Sequence, residues 1–214
     1  MKRLRTLSHS AGFTLAEMLT VVAVFVILTS VVLFNSRQFG EVILLENLAY
    51  DVAISVRQAQ TYGLAVREAP GAGNSFDVAY GVHFSATDTT HFKLFADLDR
   101  DGVFDDPSGG SCIGVCDSVV EEYTVRRGNT ISLVCASQSP STQHCTTSPS
   151  PNNISSVDVT FNRPNPDALI ASERLNTYDS AVIYVRSPSA LIRLVKIQST
   201  GQISVEVPPS EPGA

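Results

Sequence analysis

The chain is predicted to be an α+β protein, with one long N-terminal helix followed by an antiparallel β-sheet head. Three observations predict it. The run Phe13 to Phe34, FTLAEMLTVVAVFVILTSVVLF, is apolar except for one ionisable side chain, Glu17. The stretch after it keeps a helical period: Val42, Leu45, Leu48, Val52, Val56 and Ala59 recur at three- and four-residue steps. Beyond Gly63 the chain turns to short segments rich in β-branched and aromatic residues, separated by turn residues. One helix followed by a run of strands is the α+β order.

The apolar run is read first as a membrane span, because a helix of about 20 residues at about 1.5 Å per residue crosses a hydrocarbon core of about 30 Å. It follows a basic leader, residues 1–12, that contains Lys2, Arg3 and Arg5 and ends in Gly12. Positive charge before the span and none close behind it except Arg37 puts the N-terminus in the cytoplasm and the body outside. Glu17 is the anomaly. A carboxylate in a membrane helix costs about 2.5 to 3.5 kcal/mol on insertion scales, so a positive group must meet it there. A free α-amino group on a neighbouring copy, created by cutting the chain just upstream, would serve.

The residues around that acid carry a family likeness. Gly12-Phe13-Thr14-Leu15-Ala16-Glu17-Met18 resembles the class III signal of type IV pilins and type II secretion pseudopilins. The resemblance implies that a membrane prepilin peptidase cuts after Gly12 and N-methylates Phe13. It also implies that Glu17 pairs with a neighbour's N-terminus as subunits stack, and that the fold is pilin-like, with the long helix packed on the head. Ala16 departs from the family's usual isoleucine or valine, at a position that needs only a lipid-compatible side chain. An ordinary secretory signal is the rival. Its apolar core is normally about 7 to 15 residues and precedes a small-residue cleavage site, whereas here the run is longer and the glycine comes first.

The second half of the helix, residues 35–63, opens on a polar stretch from Asn35 to Phe39. Gly40 could break it, since glycine costs about 1 kcal/mol against alanine in a helix interior. If continuous to Gly63, the helix would be on the order of 75 Å long. The head, residues 64–207, begins with a loop at Ala69 to Asn74. Its expected strands are Phe76 to Phe84, His91 to Ala96, Val119 to Arg126, Thr130 to Val134, Val157 to Phe161, Ala181 to Arg186, Leu191 to Gln198 and Gln202 to Val205. Turn signals at Arg127-Gly128-Asn129 and Ser199-Thr200-Gly201 predict that the strands they join pair antiparallel. Ser137 to Ser156, rich in Ser, Thr, Pro and Asn, is expected to be an exposed loop. Residues 208–214 are expected to be a disordered tail. Within the pilin-like superfamily, Val56-Arg57-Gln58-Ala59-Gln60 closing the helix, the late strands and Thr200-Gly201-Gln202-Ile203 most resemble the minor pseudopilins called GspH or FimT-like.

The four cysteines, Cys112, Cys116, Cys135 and Cys145, lie in the part expected to be exported, where disulfides persist. Of three connectivities, Cys112 with Cys116 and Cys135 with Cys145 is favoured because each closes a short loop. A crossed arrangement stays open, and the spacings match no common zinc knuckle. Asp97-Leu98-Asp99-Arg100-Asp101-Gly102-Val103-Phe104-Asp105-Asp106 places acids at positions 1, 3, 5 and 9 and glycine at 6, the offsets of a calcium loop. Asp97, Asp99, Asp101 and Asp105 (or Asp106) are the candidate ligands of a structural calcium, and no other cofactor is expected. Against calcium, position 12 is Ser108 and no helix flanks the loop. The alternative is an acidic turn after a strand.

His9, His83, His91 and His144 show no metal spacing, no serine sits in a nucleophile elbow, and no glycine loop precedes a helix to cradle phosphate. An enzyme is not expected. The formal net charge of −6 disfavours nucleic acid as a partner. The leading expectation is therefore a minor pilin or pseudopilin subunit in a bacterial inner membrane. Its partners would be other subunits, the prepilin peptidase and an inner-membrane assembly platform. The rivals are a FimT-like DNA-binding subunit using Arg186, Arg193 and Lys196, and an anchored extracellular domain that never assembles.

Overall fold

A computed structural model describes residues 12–65, 67–69, 76–106, 112, 115–139, 142–146, 153–174 and 177–208, the side chains of 34–39 and 139 apart. The leader before Gly12, the loop from Pro70 to Asn74, Ser108 and the tail from Pro209 lie outside these residues. The chain forms two compact units, residues up to Gly40 and residues from Glu41 onward. Helix α1, Leu15–Leu64, is assigned without a break at Gly40. The fold is α+β with antiparallel sheets.

In the first unit, Leu15–Leu33 has a mean hydropathy of 2.4 and is 0% buried. Its hydroxyls are satisfied within the helix: Thr29 Oγ1 donates to the Phe25 carbonyl at 2.7 Å and Ser30 Oγ to that of Val26 at 2.7 Å. That lowers the cost of carrying them on an apolar surface. The segment is long and apolar enough to cross a membrane.

In the second unit, the head, the periodic residues of α1 are buried as their spacing requires. Leu45, Leu48, Ala49, Val52, Val56 and Ala59 form one core with both sheets. The first sheet has the order β3-β2-β1-β6-β7, from Ser118–Thr124 (β3), His91–Asp97 (β2), Ala79–Ser85 (β1), Ser156–Phe161 (β6) and Ala168–Ala171 (β7). The second has the order β10-β9-β8-β4-β5, from Ile203–Glu206 (β10), Ile192–Gln198 (β9), Ser180–Arg186 (β8), Thr130–Ser139 (β4) and Thr142–Cys145 (β5). Alternate residues face the core: Val82 and Phe84 on β1, Val157, Val159 and Phe161 on β6, Ala181, Ile183 and Val185 on β8, Val195 and Ile197 on β9. Burying a Val, Leu, Ile or Phe side chain contributes about 1.5–3 kcal/mol, so these rows rather than helix propensity hold α1 in place.

Three expectations are corrected. The head has two sheets, not one. Strands β3 and β4, joined through Arg127-Gly128-Asn129, do not pair; the turn carries the chain from one sheet to the other, with Arg127 and Gly128 both at positive φ. The stretch Ser137 to Ser156 is not simply an exposed loop, because β4 runs on to Ser139, β5 lies within it, and Cys135 and Cys145 face each other in register. The disulfides are Cys112–Cys116 and Cys135–Cys145, the local pair among the three connectivities.

The end of α1 comes very close to β6. A Cβ on Gly63 would lie 2.3 Å from the Phe161 carbonyl oxygen, whereas nothing stands within 4 Å of one on Gly40. Gly63→Ala is therefore expected to cost about 1–3 kcal/mol and lower the head's unfolding midpoint. Gly40→Ala should cause no loss, and urea unfolding of the two variants checks the contrast.

Candidate functional site

Two groups of residues that the sequence singles out can now be placed, one in each unit. At the start of α1, Gly12 and Phe13 precede the first turn and are exposed. Thr14 caps the helix: its Oγ1 accepts the Glu17 amide at 3.2 Å and its carbonyl accepts the Met18 amide at 3.1 Å. Thr14-Leu15-Ala16-Glu17 has the spacing of a capping box, and an acid in the first turn suits the helix dipole. Glu17 thus has a local role that reading the run as a span overlooked, and its side chain is exposed.

The acidic loop, Asp97 to Asp106, covers the outer face of the first sheet. Its anchor is Phe104, whose ring lies 4.8 Å from that of His83 and 5.0 Å from that of Phe95. Gly81 makes the room, since a Cβ there would meet the Phe95 ring at 2.8 Å. Beneath the loop, His83 Nδ1 is 2.6 Å from Oδ1 of Asp158, a carboxylate with 0% exposure. Burial raises the Asp158 pKa although His83 pulls it down. Lys93 Nζ reaches Asp106 at 3.2 Å, and Arg100 pairs with Asp77.

The loop's turns are written by its own acids. Asp97 accepts the amides of Arg100 at 2.6 Å and Gly102 at 3.1 Å, and Asp101 accepts that of Val103 at 2.8 Å. Gly102 has φ 83°, a conformation open to glycine, and a Cβ there would meet Leu169 at 2.5 Å. Asp117, from just beyond the Cys112–Cys116 disulfide, closes the loop by accepting the amides of Leu98 and Asp105, each at 2.9 Å.

The four acids named from sequence do not converge on one point. Their oxygens fall into two groups, each within 4.8 Å: Asp97, Asp99 and Asp117, and Asp99, Asp101 and Asp105. Asp117 was missed; it lies outside the motif, and only the closure of the loop brings it there. Asp97 and Asp117 are 1% and 2% exposed. Burial, and then the charge of Asp117, push Asp97 up to about 7 against the pull of its amide bonds. Burial pushes Asp117 up to about 6, opposed by the Asp105 and Leu98 amides. Desolvation raises Asp105 as well, followed by the charges of Asp101 and Asp99. Carboxylates so placed take up a proton or a hard cation, with oxygen ligands of the kind calcium prefers.

Elsewhere, the cations of the late strands are divided, with Arg186 and Lys196 on the outer face of the second sheet and Arg193 on the other. In register, Arg193 stands opposite Val185, a core-facing position, whereas Lys196 stands opposite Val182 and Arg186 opposite Ile192. His144 is held in the head by Tyr178, whose hydroxyl lies 3.1 Å from its Nδ1 and 3.0 Å from Ser172 Oγ. No family model, curated protein or solved structure matches this chain.

The acid pair predicts a pH dependence. Both folded pKa values lie above the ordinary 3.8, so their stabilising contribution is full below about pH 4 and is lost as pH rises through about 6 to 7. In chelator, the unfolding midpoint of an Asp97→Asn/Asp117→Asn variant should therefore change less between pH 8 and pH 5 than that of the parent. Parallel profiles would refute the assignment.

Proposed function

We propose that the protein is a minor pilin-like subunit, cut after Gly12, methylated at Phe13, and drawn from a membrane into a filament of a secretion or pilus system. The observation that carries this reading is the apolar stretch Leu15–Leu33, 0% buried, preceded by Gly12-Phe13-Thr14 and carrying its one carboxylate, Glu17, in the first turn of α1. A helix apolar all round and 0% buried among the described residues needs lipid or other helices around it. The buried second half of α1 leaves the head able to keep its shape while the first half changes surroundings. The work is assembly rather than catalysis, with Glu17 meeting a neighbour's new amine in an apolar setting, a polar pair that sets register.

Only Arg186 and Lys196 share the outer face of the second sheet, Arg193 lying on the other, and Lys196 lines a groove with Asp179 and Glu206; that mixed surface favours this over a nucleic-acid-binding head, which needs a basic stripe. The acidic loop has a structural part in the proposal. A calcium ion held by the buried Asp97 and Asp117 and the exposed Asp99 would supply the positive charge that the buried pair lacks and would tie β2 to the strand that follows the first disulfide.

Intact-mass measurement of the membrane form tests the reading: a methylated chain beginning at Phe13 is expected, and Gly12→Leu should leave the leader attached. Glu17→Ala should still insert but lose most of its crosslinking to neighbouring subunits; unchanged co-assembly would remove its proposed role. For the loop, millimolar calcium should raise the unfolding midpoint of the parent and not that of Asp117→Asn. An equal rise in both would place the ion elsewhere.

A further inference from the structure

A groove of about 400 Å³ runs between α1 and the edge strand β3 in the head. Its floor is Leu48 from the helix and Phe92 from β2, both nearly buried, and its open apolar surface is Ile54 and the half-buried Tyr123, whose ring stacks on Phe92 at 4.8 Å and 10°. Its walls carry two carboxylates, Asp51 on α1 and Glu121 on β3. Glu121 is held in position: its Oε2 accepts the Tyr123 hydroxyl at 2.9 Å and the Gln58 amide at 3.4 Å. Among the described residues no cation lies within ion-pair distance of either acid, and none lines this groove.

An aromatic ring beneath a pair of like charges forms a surface that is self-repulsive when empty and complementary to a cation on an alkyl stem. A second groove opens from the same helix face, sharing Leu48, Asp51 and Thr124, and it is lined by Arg126 and Arg127. A ligand lying along α1 thus meets anions and then cations. A free polyamine satisfies only the first half of that order, whereas a polypeptide with a basic residue followed by an acidic one satisfies both.

We propose that this groove docks a partner protein through an arginine or lysine side chain, its stem on Ile54 and Tyr123 and its charge between Asp51 and Glu121, with an acidic neighbour facing Arg126 and Arg127. The inference stands apart from the membrane segment and from processing at Gly12. Arginine suits the groove best, because its flat guanidinium both stacks on aromatic rings and bridges carboxylates.

The test uses the full chain in detergent micelles with tyrosine and phenylalanine rings labelled for NMR. Its probes are acetyl-Gly-Arg-Gly-Glu-Gly-amide and the same peptide with citrulline, which keeps the shape and loses the charge. The arginine peptide should shift the Tyr123 and Phe92 ring signals saturably and bind about tenfold more tightly than the citrulline peptide. Asp51→Asn/Glu121→Gln, which keeps both side-chain shapes, should abolish that difference. No saturable shift, equal binding of the two peptides, or an undiminished preference in the double variant would each overturn the proposal. Spermidine binding more tightly than the arginine peptide would assign the groove to a free polyamine and overturn it too.

Discussion

The head depends on one constraint: a single helix face has to satisfy the inner faces of two separate five-stranded sheets. Leu45, Ala49, Val52, Val56 and Ala59 do this from one buried stripe that joins the core residues of both sheets. At Gly63 the backbone of β6 leaves no room for a Cβ. Because the core is shared, no pair of strands stands without the helix, and the outer faces of both sheets are released from the task of holding the fold.

The first sheet uses that freedom for the acidic loop. Phe104 is the loop's apolar contribution, its ring against those of Phe95 and His83, and Gly81 leaves the room that the Phe95 ring occupies. Once it is seated, Asp97 and Asp117 are carried out of water. Each is satisfied by two backbone amides, so neither is an orphan, yet the amides do not offset burial and mutual repulsion, and both pKa values end above the ordinary range. The loop is locally well bonded and electrostatically uncomfortable. Backbone dipoles satisfy directions, whereas only a proton or a cation removes the charge.

What was legible in the chain was whatever depends on near neighbours. The helical period of α1, the alternation in β6, β8 and β9, and the turn at Ser199-Thr200-Gly201 between β9 and β10 all follow from local chemistry. Strands β5 and β7, four residues each, were not legible. One is set in a stretch rich in Ser, Thr and Pro and the other follows Pro164 and Pro166, so turn composition masked them. The division into two sheets was hidden because a tight Arg-Gly-Asn turn looks the same whether it returns a strand to its neighbour or passes it across the core. Asp117 was illegible for a related reason. Its meeting with Asp97 is made by the pairing of β2 with β3 and by the Cys112–Cys116 link, and no spacing rule within the loop encodes it.

Glu17 is where local and long-range explanations compete, and magnitudes separate them. Thr14 caps the first turn of α1 in any solvent, and the interaction of Glu17 with the helix dipole contributes about 0.3–1 kcal/mol. The cost of placing a carboxylate within a membrane helix is about 2.5–3.5 kcal/mol. Capping alone therefore leaves a deficit of a few kcal/mol in lipid. A serine or threonine cap with a glutamine at the third position would hold the same turn without the charge. On the proposed reading a cation joins the charged group there, and the amine that cleavage after Gly12 would expose at Phe13 of an adjacent subunit is the candidate for it.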